Sequence, residues 1–146
     1  IAQFTYFQQM AGIQCNPVPV ELTYGLERIC MFVQDKASVY DLIWNLDGVL
    51  YKDIFKENEK QFSKYNFEFA DIQNLFDTFN GLEKEAKNLL INRLPLPAYD
   101  QSLKASHVFN ILDSRGAISI AQRAGYIARI RDLVKEVGEK WLEEKS

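Results

Sequence analysis

The apolar and polar positions of the chain predict strands first and helices afterwards. Residues 2–9, AQFTYFQQ, alternate with the period of two that is typical of a β-strand. One face of this strand is apolar and carries Phe4 and Tyr6. The other face is mixed and comprises Gln3, Thr5, Phe7 and Gln9.

A second strand is predicted at residues 20–24, VELTY, after a connection that contains Gly, Asn and Pro. After Gly25 the spacing of apolar residues becomes helical. The apolar positions of this helix are Leu26, Ile29, Cys30 and Val33. The stretch ELTYGLER, residues 21–28, therefore spans a junction between a strand and a helix. Residues 38–51 predict a short, irregular segment with a Ser-x-x-Asp start signal and an Asp-Gly turn.

From about Tyr51 onward the pattern predicts only helices. Asp71 is the expected start of a helix with a broad apolar stripe. This stripe comprises Ile72, Leu75, Phe76, Phe79, Leu82, Ala86 and Leu89. Pro97 is expected in the first turn of the next helix, which ends near Gly116. The apolar residues of that helix are Leu103, Phe109, Ile111 and Leu112.

The last helix has the clearest pattern. Ser119 and Gln122 predict a capping box at its start. Its apolar stripe comprises Ile120, Ala124, Ile127, Ile130, Val134, Val137 and Trp141. The order of elements predicts the α+β class, with a β-rich part at residues 1–50 and a helical part at residues 51–146.

Length, charge and hydropathy narrow the class of protein. A chain of 146 residues with 47% hydrophobic content favours one domain, or one domain with an appendage. A net charge of -3 argues against wrapping nucleic acid by charge alone. No apolar run approaches the roughly 20 residues that span a bilayer, and no signal-peptide layout is visible at the start. We therefore predict a cytoplasmic protein that does not associate with a membrane.

Two further features concern the cysteines and the first residue. Cys15 and Cys30 lack CxxC spacing and neighbouring metal ligands, which favours free thiols. The chain opens at Ile1 inside what reads as a strand. We therefore expect the front of a larger protein to precede it.

ELTYGLER groups acids, a hydroxyl and an arginine around one glycine. Glu21 and Thr23 share a strand face because they are two residues apart. Gly25 lets a ligand approach the backbone, and the start of the following helix favours anions such as phosphate. Arg28 suits a base or a phosphate, whereas Glu21 suits an ammonium group or a metal ion. The alternative, an ordinary solvated pair of Glu27 and Arg28, stays open.

Other polar residues favour structural interpretations. His107 has no nearby nucleophile or metal ligand, so we predict a packed or capping residue. Gln8 and Gln9 are either polar residues at a sheet edge or donors in a pocket. A basic cluster in the last helix is matched by acids and predicts a solvated face. This cluster comprises Arg123, Arg129, Arg131 and Lys135.

Several stretches carry a family resemblance. QFTYFQQ and ELTYGLER resemble the third signature motif of class II aminoacyl-tRNA synthetases. YNFEFAD, LPLPAYDQSLKASHVFNILDSRGAISIAQR and YIARIRDL are similar to the helical part of the α subunits of bacterial heterotetrameric glycyl-tRNA synthetases. The resemblance covers essentially the whole chain. The long helical stretch makes it far more specific than Gly-Leu-Glu-Arg alone.

This resemblance implies a ligase that forms glycyl-adenylate from ATP and glycine with the help of Mg²⁺, and then charges the acceptor end of tRNA(Gly). It also implies a β subunit as partner and an α homodimer within an α2β2 assembly. Arg28 is similar to the arginine that packs over adenine and reaches the γ-phosphate, and Gly25 opens the floor beneath the nucleotide. Glu21 matches an acid that meets the amino acid's ammonium group or Mg²⁺. The implied substrate-binding residues are Thr23, Gln3, Thr5, Gln8 and Gln9.

The resemblance leaves alternatives open. The first and second family motifs, which should precede residue 1, are not in the sequence. We therefore expect this chain to form one part of a catalytic site. A helical assembly module that binds a partner without catalysis is the second hypothesis. Alanyl-tRNA synthetase is the third, because it has a similar Gly-x-Gly-Leu-Glu-Arg context, but the helical stretches argue against it.

Overall fold

The predicted order of strands followed by helices is confirmed, and the chain is an α+β protein. The structure is a computed structural model that describes residues 1–145. The residues pack into two units: one contains residues 1–8 and 15–65, and the other contains residues 9–14 and the chain from Asn66 onward. The domain division near residue 50 stays a prediction.

The strands of the front form two antiparallel pairs. β1 (Ala2–Tyr6) pairs with β4 (Val20–Tyr24), and β2 (Gln9–Met10) pairs with β3 (Ile13–Gln14). The turn between β2 and β3 contains two residues with positive φ, 53° at Ala11 and 75° at Gly12. Positive φ at both positions is typical of the two-residue hairpin turn whose twist matches the strands.

The strand predicted at residues 2–9 is too long, because β1 ends at Tyr6. The Phe7 N–H donates to the Pro19 carbonyl at 3.0 Å, as the next rung of the ladder would require. Pro19 in this rung and Pro17 two residues further along lack a backbone N–H, so neither can donate a bond back to β1. The pairing of β1 with β4 therefore stops, and the chain starts the second hairpin at Gln9.

The helical segments between residues 26 and 69 contain almost no buried side chains. They are α1 (Leu26–Val33), a 3-10 turn (Val39–Asp41), α2 (Tyr51–Lys64) and a π-helical turn (Tyr65–Phe69). Among residues 1–65, all of which the structure describes, only Leu42 is buried, with 4% of its surface exposed. Aromatic contacts add to this small core: the ring centroid of Phe55 lies 5.5 Å from that of Trp44 and 4.5 Å from that of Tyr51.

The irregular segment between α1 and α2 is confirmed. The Ser38 hydroxyl accepts the Tyr40 N–H and starts the 3-10 turn. Gly48 has a φ of 84° in the predicted Asp-Gly turn, and Ile43 forms an isolated antiparallel bridge with Leu50. The segment therefore folds back on itself before α2 begins at Tyr51.

Three long helices form the second unit with the β2–β3 hairpin. They are α3 (Ile72–Ile91), α4 (Pro95–Ser114) and α5 (Ile120–Glu143), and α4 packs against both of the others. The Asp71 carboxylate accepts the Asn74 N–H at 2.7 Å and caps α3. Ser119 and Gln122 form the predicted capping box of α5. The core of these helices includes Phe79, Phe109 and Leu112.

Two parts of the predicted apolar stripes are wrong. Leu103 on α4 and Ile120, Ala124 and Trp141 on α5 are exposed, Ile120 at 94% of its surface. Leu133, which lies outside the predicted stripe of α5, is buried with 1% exposed. A helical stripe is buried only where neighbouring helices cover it, and the first turn of α5 lacks such cover.

Arg129 joins α3 to α5 by charge and by stacking. Its guanidinium donates to the Glu83 carboxylate at 2.6 and 3.1 Å and to the Asn80 side-chain oxygen at 2.9 Å. The guanidinium carbon lies 4.6 Å from the ring centroid of Phe79 and 4.9 Å from that of Tyr126. The predicted solvated face is therefore wrong for Arg129, which forms a partly buried ion pair over two aromatic rings.

Three helices end with the same reversal of the chain. After α1, α3 and α4, a residue with positive φ allows two backbone hydrogen bonds back to the last turn. After α4 this residue is Gly116, as the predicted stop requires. After α1 and α3 it is Asp35 and Arg93, with φ of 50° and 56°.

The β2–β3 hairpin packs against α5 at a glycine. A Cβ atom at Gly138 would lie 3.1 Å from the Cβ of Ala11 and 3.3 Å from the Cδ1 of Ile13. Such distances are shorter than normal carbon contacts. The glycine therefore makes room for the tip of the hairpin against the helix.

Candidate functional site at the strand-to-helix junction

The junction between β4 and α1 is confirmed, with Gly25 at the N-cap of the helix. The Gly25 N–H donates to the Ile1 carbonyl at 3.0 Å and extends the pairing of β1 with β4 by one bond. The Gly25 carbonyl accepts the Ile29 N–H at 3.0 Å, which is the first bond of α1. One residue thus belongs to both the ribbon and the helix, so the start of α1 is fixed to the end of β4.

The structure gives a physical reason for glycine at this junction. Gly25 has φ of -82° and ψ of 101°, an extended conformation that other residues also adopt. A Cβ atom there would lie 3.1 Å from Cδ and 3.3 Å from Cγ of Arg28. A larger residue at this position would press on the aliphatic part of Arg28, which lies beside Gly25.

Arg28 presents an exposed, uncompensated cation. In the part of the chain that the structure describes, its guanidinium has neither a hydrogen bond nor an ion pair. The alternative reading as a solvated pair with Glu27 is therefore not what the structure contains. A planar guanidinium with five free donors suits a phosphate or the face of a base.

Four of the predicted site residues share one face of the β1–β4 ribbon. Gln3 lies opposite Thr23, and Thr5 lies opposite Glu21. The Thr23 hydroxyl donates to the Glu21 carboxylate. This face therefore offers a carboxylate, two hydroxyls and an amide within one small area, close in sequence to Gly25 and Arg28.

The opposite face of the ribbon is apolar and exposed. The rings of Phe4 and Tyr6 contact each other edge to face with centroids 4.8 Å apart. Their cross-strand neighbours are Leu22 and Val20. The two faces differ in chemistry as the alternation of β1 predicted, and the polar face carries the carboxylate and the amide.

Gln8 and Gln9 do not lie on this ribbon. Gln8 follows the end of β1, and its backbone carbonyl accepts the Cys15 N–H at 2.9 Å. Gln9 belongs to β2, where it pairs with Gln14 in the other packing unit. Their proposed part in substrate binding stays a prediction, whereas the continuous strand on which it rested is wrong.

Two other expectations concern residues outside the junction. His107 is exposed on α4, so the predicted packed or capping role is wrong. Cys15 and Cys30 are free thiols, as expected.

Gln34 is a residue near the site that sequence reasoning did not single out. Its side-chain amide donates to the Ile43 carbonyl at 3.1 Å and accepts the Ile43 N–H at 2.8 Å. The contact joins residues nine positions apart, across an irregular segment. No spacing rule for helices or strands would have signalled it.

A comparison with known protein families places the chain among the aminoacyl-tRNA synthetases, the ligases that join an amino acid to its tRNA. The family model that matches is described as "Glycyl-tRNA synthetase alpha subunit" and covers residues 1–146. The chain therefore belongs to the glycyl-tRNA synthetase alpha subunit family, whose partners are glycine, tRNA and a beta subunit. Within residues 1–145, no helix has both the length and the apolar composition needed to cross a bilayer.

Proposed function

We propose that the chain forms part of the catalytic site in which glycine is activated by ATP. The glycine carboxylate attacks the α-phosphorus of ATP, a bond forms between carboxylate oxygen and phosphorus, and pyrophosphate leaves. The glycyl group then passes from the adenylate to the terminal adenosine of tRNA(Gly), and AMP leaves. The observation that carries this proposal is the exposed guanidinium of Arg28, which has no partner within residues 1–145. Arg28 lies on the helix that begins directly after β4, the strand that carries Glu21 and Thr23 on the polar face of the ribbon.

Arg28 binds and orients the nucleotide in this proposal. The aliphatic part of its side chain lies beside Gly25, where the missing Cβ atom leaves room for it. Its guanidinium stacks on adenine and donates to the γ-phosphate, as the class II resemblance implies. Holding ATP and glycine in the reacting geometry supplies a large share of the rate, since the reaction needs no covalent catalysis by the protein.

Glu21 and Thr23 receive the amino acid. The Thr23 hydroxyl donates to the Glu21 carboxylate, which leaves further acceptor positions on Glu21 for the ammonium group of glycine or for a metal ion. A single exposed carboxylate also fits Mg²⁺, which proteins commonly hold with one or two carboxylates together with substrate phosphates. Bound there, Mg²⁺ would supply positive charge that neutralises the phosphates.

The remaining polar residues of the face border the glycine pocket. Gln3 and Thr5 lie on β1 opposite Thr23 and Glu21. A pocket selects glycine when protein side chains fill the space that a larger amino acid would need. Such a pocket excludes a larger side chain strongly, but it gains little affinity from the absence of a methyl group. Thr5, which is partly buried, or Phe7 forms this wall in our proposal.

The proposal extends to the assembly. The helices of the second unit bind the β subunit, and two α subunits form a homodimer within an α2β2 enzyme in the cytoplasm. The family name supports an α subunit with a partner. The exposed residues of α4, which include Leu96 and Leu103, give this unit an apolar surface for such a contact.

The test is pyrophosphate exchange that depends on glycine and ATP, measured on the α subunit assembled with β. We expect Arg28→Ala to lower the exchange rate by about 100- to 1,000-fold, which is the usual effect of removing one group that stabilises developing charge. Arg131→Ala removes the same charge from an exposed position on α5 and is the matched control. Circular dichroism spectra of both variants should equal that of the parent.

Two results would contradict the proposal. Normal exchange in Arg28→Ala would remove the nucleotide role of this residue. Absence of adenylate in the unmodified α and β assembly would instead favour the assembly module without catalysis.

A further inference from the structure

Helix α1 carries Arg28 and has little hydrophobic support, with Ile29 and Met31 only partly buried. None of its eight residues is buried, and Leu26, Phe32 and Val33 are each at least 70% exposed. A helix of this length is marginal in water by itself. Hydrogen bonds at its two ends must therefore contribute much of what fixes its direction.

The first end is fixed through the ribbon. Gly25 bonds to Ile1 on one side and starts the helix on the other, as described above. This bond fixes one point of the helix axis. A single point leaves the helix free to swing about the junction, so the second end decides where the guanidinium lies.

The second end is held by the side chain of Gln34, the C-cap residue of α1. Its amide uses both its donor and its acceptor on the backbone of Ile43, in the way that one strand pairs with another. The helix is thus joined to a different segment of the chain by two bonds that act together.

The segment that Gln34 contacts is itself held by hydrogen bonds and by a buried side chain. Ile43 directly follows Leu42, the single buried side chain of residues 1–65. The neighbouring backbone is bound to the start of α2, because the Trp44 N–H donates to Val49 at 2.7 Å and the Tyr51 N–H donates to Leu42 at 2.9 Å. Gln34 therefore connects α1 to the best-anchored part of its unit.

We infer that Gln34 is a positioning residue that acts through Arg28: its double bond to Ile43 holds α1 so that the guanidinium meets the nucleotide. This inference rests on the proposed role of Arg28. A displacement of about 1 Å at a reacting group costs up to 100-fold in rate, so loss of this contact should be visible in nucleotide use without unfolding the chain.

The experiment compares Gln34→Ala with Gln61→Ala in the assembled α and β enzyme, by pyrophosphate exchange at varied ATP and varied glycine. The Gln61 side chain donates to the Glu57 carboxylate within α2, at 3.0 Å, and Gln61 is the matched control. We expect Gln34→Ala to raise the KM for ATP about 10- to 100-fold and to leave the KM for glycine unchanged. Gln61→Ala should equal the parent. Gln34→Glu, which keeps the acceptor and loses the donor, should be intermediate.

The double variant Arg28→Ala with Gln34→Ala separates positioning from general damage. If Gln34 acts through Arg28, the double variant is no worse than Arg28→Ala alone. Effects that multiply, or a normal KM for ATP in Gln34→Ala, would overturn the inference. If Gln34→Ala does not fold, the same comparison with Gln34→Glu decides. Normal exchange in Arg28→Ala would refute the proposed function, whereas a defect there with normal Gln34→Ala refutes the positioning role alone.

Discussion

The two packing units differ in how they bury side chains. The unit that contains the three long helices encloses Phe79, Leu112 and Leu133, each with at most 1% of its surface exposed. The unit that contains the ribbon and α1 buries only Leu42 and leaves one apolar face of the ribbon in contact with solvent. Full burial of a large apolar side chain contributes about 1.5–3 kcal/mol, so the helical unit has most of the hydrophobic stabilisation.

The two units are therefore stabilised in different ways. The helical unit is stabilised by packing, which local substitutions disturb strongly. The ribbon unit is held by hydrogen bonds and aromatic contacts, and its exposed apolar face is the kind of surface that another layer of protein covers. The candidate site lies in the unit with fewer apolar contacts, where groups stay accessible to ligands.

The strongest way to test this contrast is one substitution made in both units. Phe79→Ala should lower the free energy of unfolding by about 3–5 kcal/mol, because it leaves a cavity in a fully buried site. Phe4→Ala, at a position that is 53% exposed, should cost about 1 kcal/mol or less, mainly from the ring contact with Tyr6. Urea unfolding followed by circular dichroism measures both. Equal losses would show that the ribbon is buried as deeply as the helices.

A second test concerns the ion pair of the helical unit and has a defined pH dependence. The Arg129 guanidinium holds the pKa of Glu83 below its ordinary value of 4.5. Because the pKa is lower in the folded state, the pair stabilises the fold above pH 4.5, and this stability is lost as the pH falls through the folded pKa. Glu83→Gln should lower the free energy of unfolding by about 1–2 kcal/mol at pH 7. The variant should also lose less stability than the parent as the pH falls below 4.5.

The matched control for that pair is Glu57→Gln on α2. Glu57 also has a lowered pKa, from its bond with Gln61 and from Lys60, but its side chain is exposed. We expect no measurable change in unfolding at any pH. If both variants change the acid unfolding curve alike, surface charge would explain the effect and the contrast between the units would lose this support.

The smallest expected effect lies at the helix ends. Arg93 has a φ of 56° where glycine is favoured, so Arg93→Gly should stabilise the helical unit by about 0.5–1 kcal/mol. Gly116 has the same place after α4 with a φ of 65°, and Gly116→Ala should destabilise by about 1 kcal/mol. Thermal unfolding midpoints should move in opposite directions. A shift of the same sign in both variants would contradict this reading of the two turns.

Features that depend on near neighbours in the chain could be predicted from the sequence. Asp71 and Ser119 cap their helices through bonds to residues three positions later. Glu21 and Thr23 share a face because strand alternation has only two phases. The end of α4 could be predicted because it uses glycine, whereas the same turn at Asp35 and Arg93 has no such signal.

Features that depend on distant partners could not be predicted. Burial of Leu133 in place of Ile120 depends on which helices flank α5. The Arg129 contacts with Glu83 and Phe79 join helices that are far apart in sequence. The contact of Gln34 with Ile43 exists only in the folded chain, so the sequence gives no signal for it. A nucleotide role for Arg28 is a prediction from the motif, whereas the lack of an ion pair on its guanidinium within residues 1–145 is a property of the folded chain.

The glycine at position 138 links two parts of the molecule that no local rule relates. In the interior of a helix, glycine is less favourable than alanine by about 1 kcal/mol, so α5 is weaker for having it. Any larger residue there would push against Ala11 and Ile13 at the hairpin tip. The lower helical propensity at Gly138 thus leaves room for the tip of the β2–β3 hairpin, and the residues at positions 138 and 11 are expected to vary together.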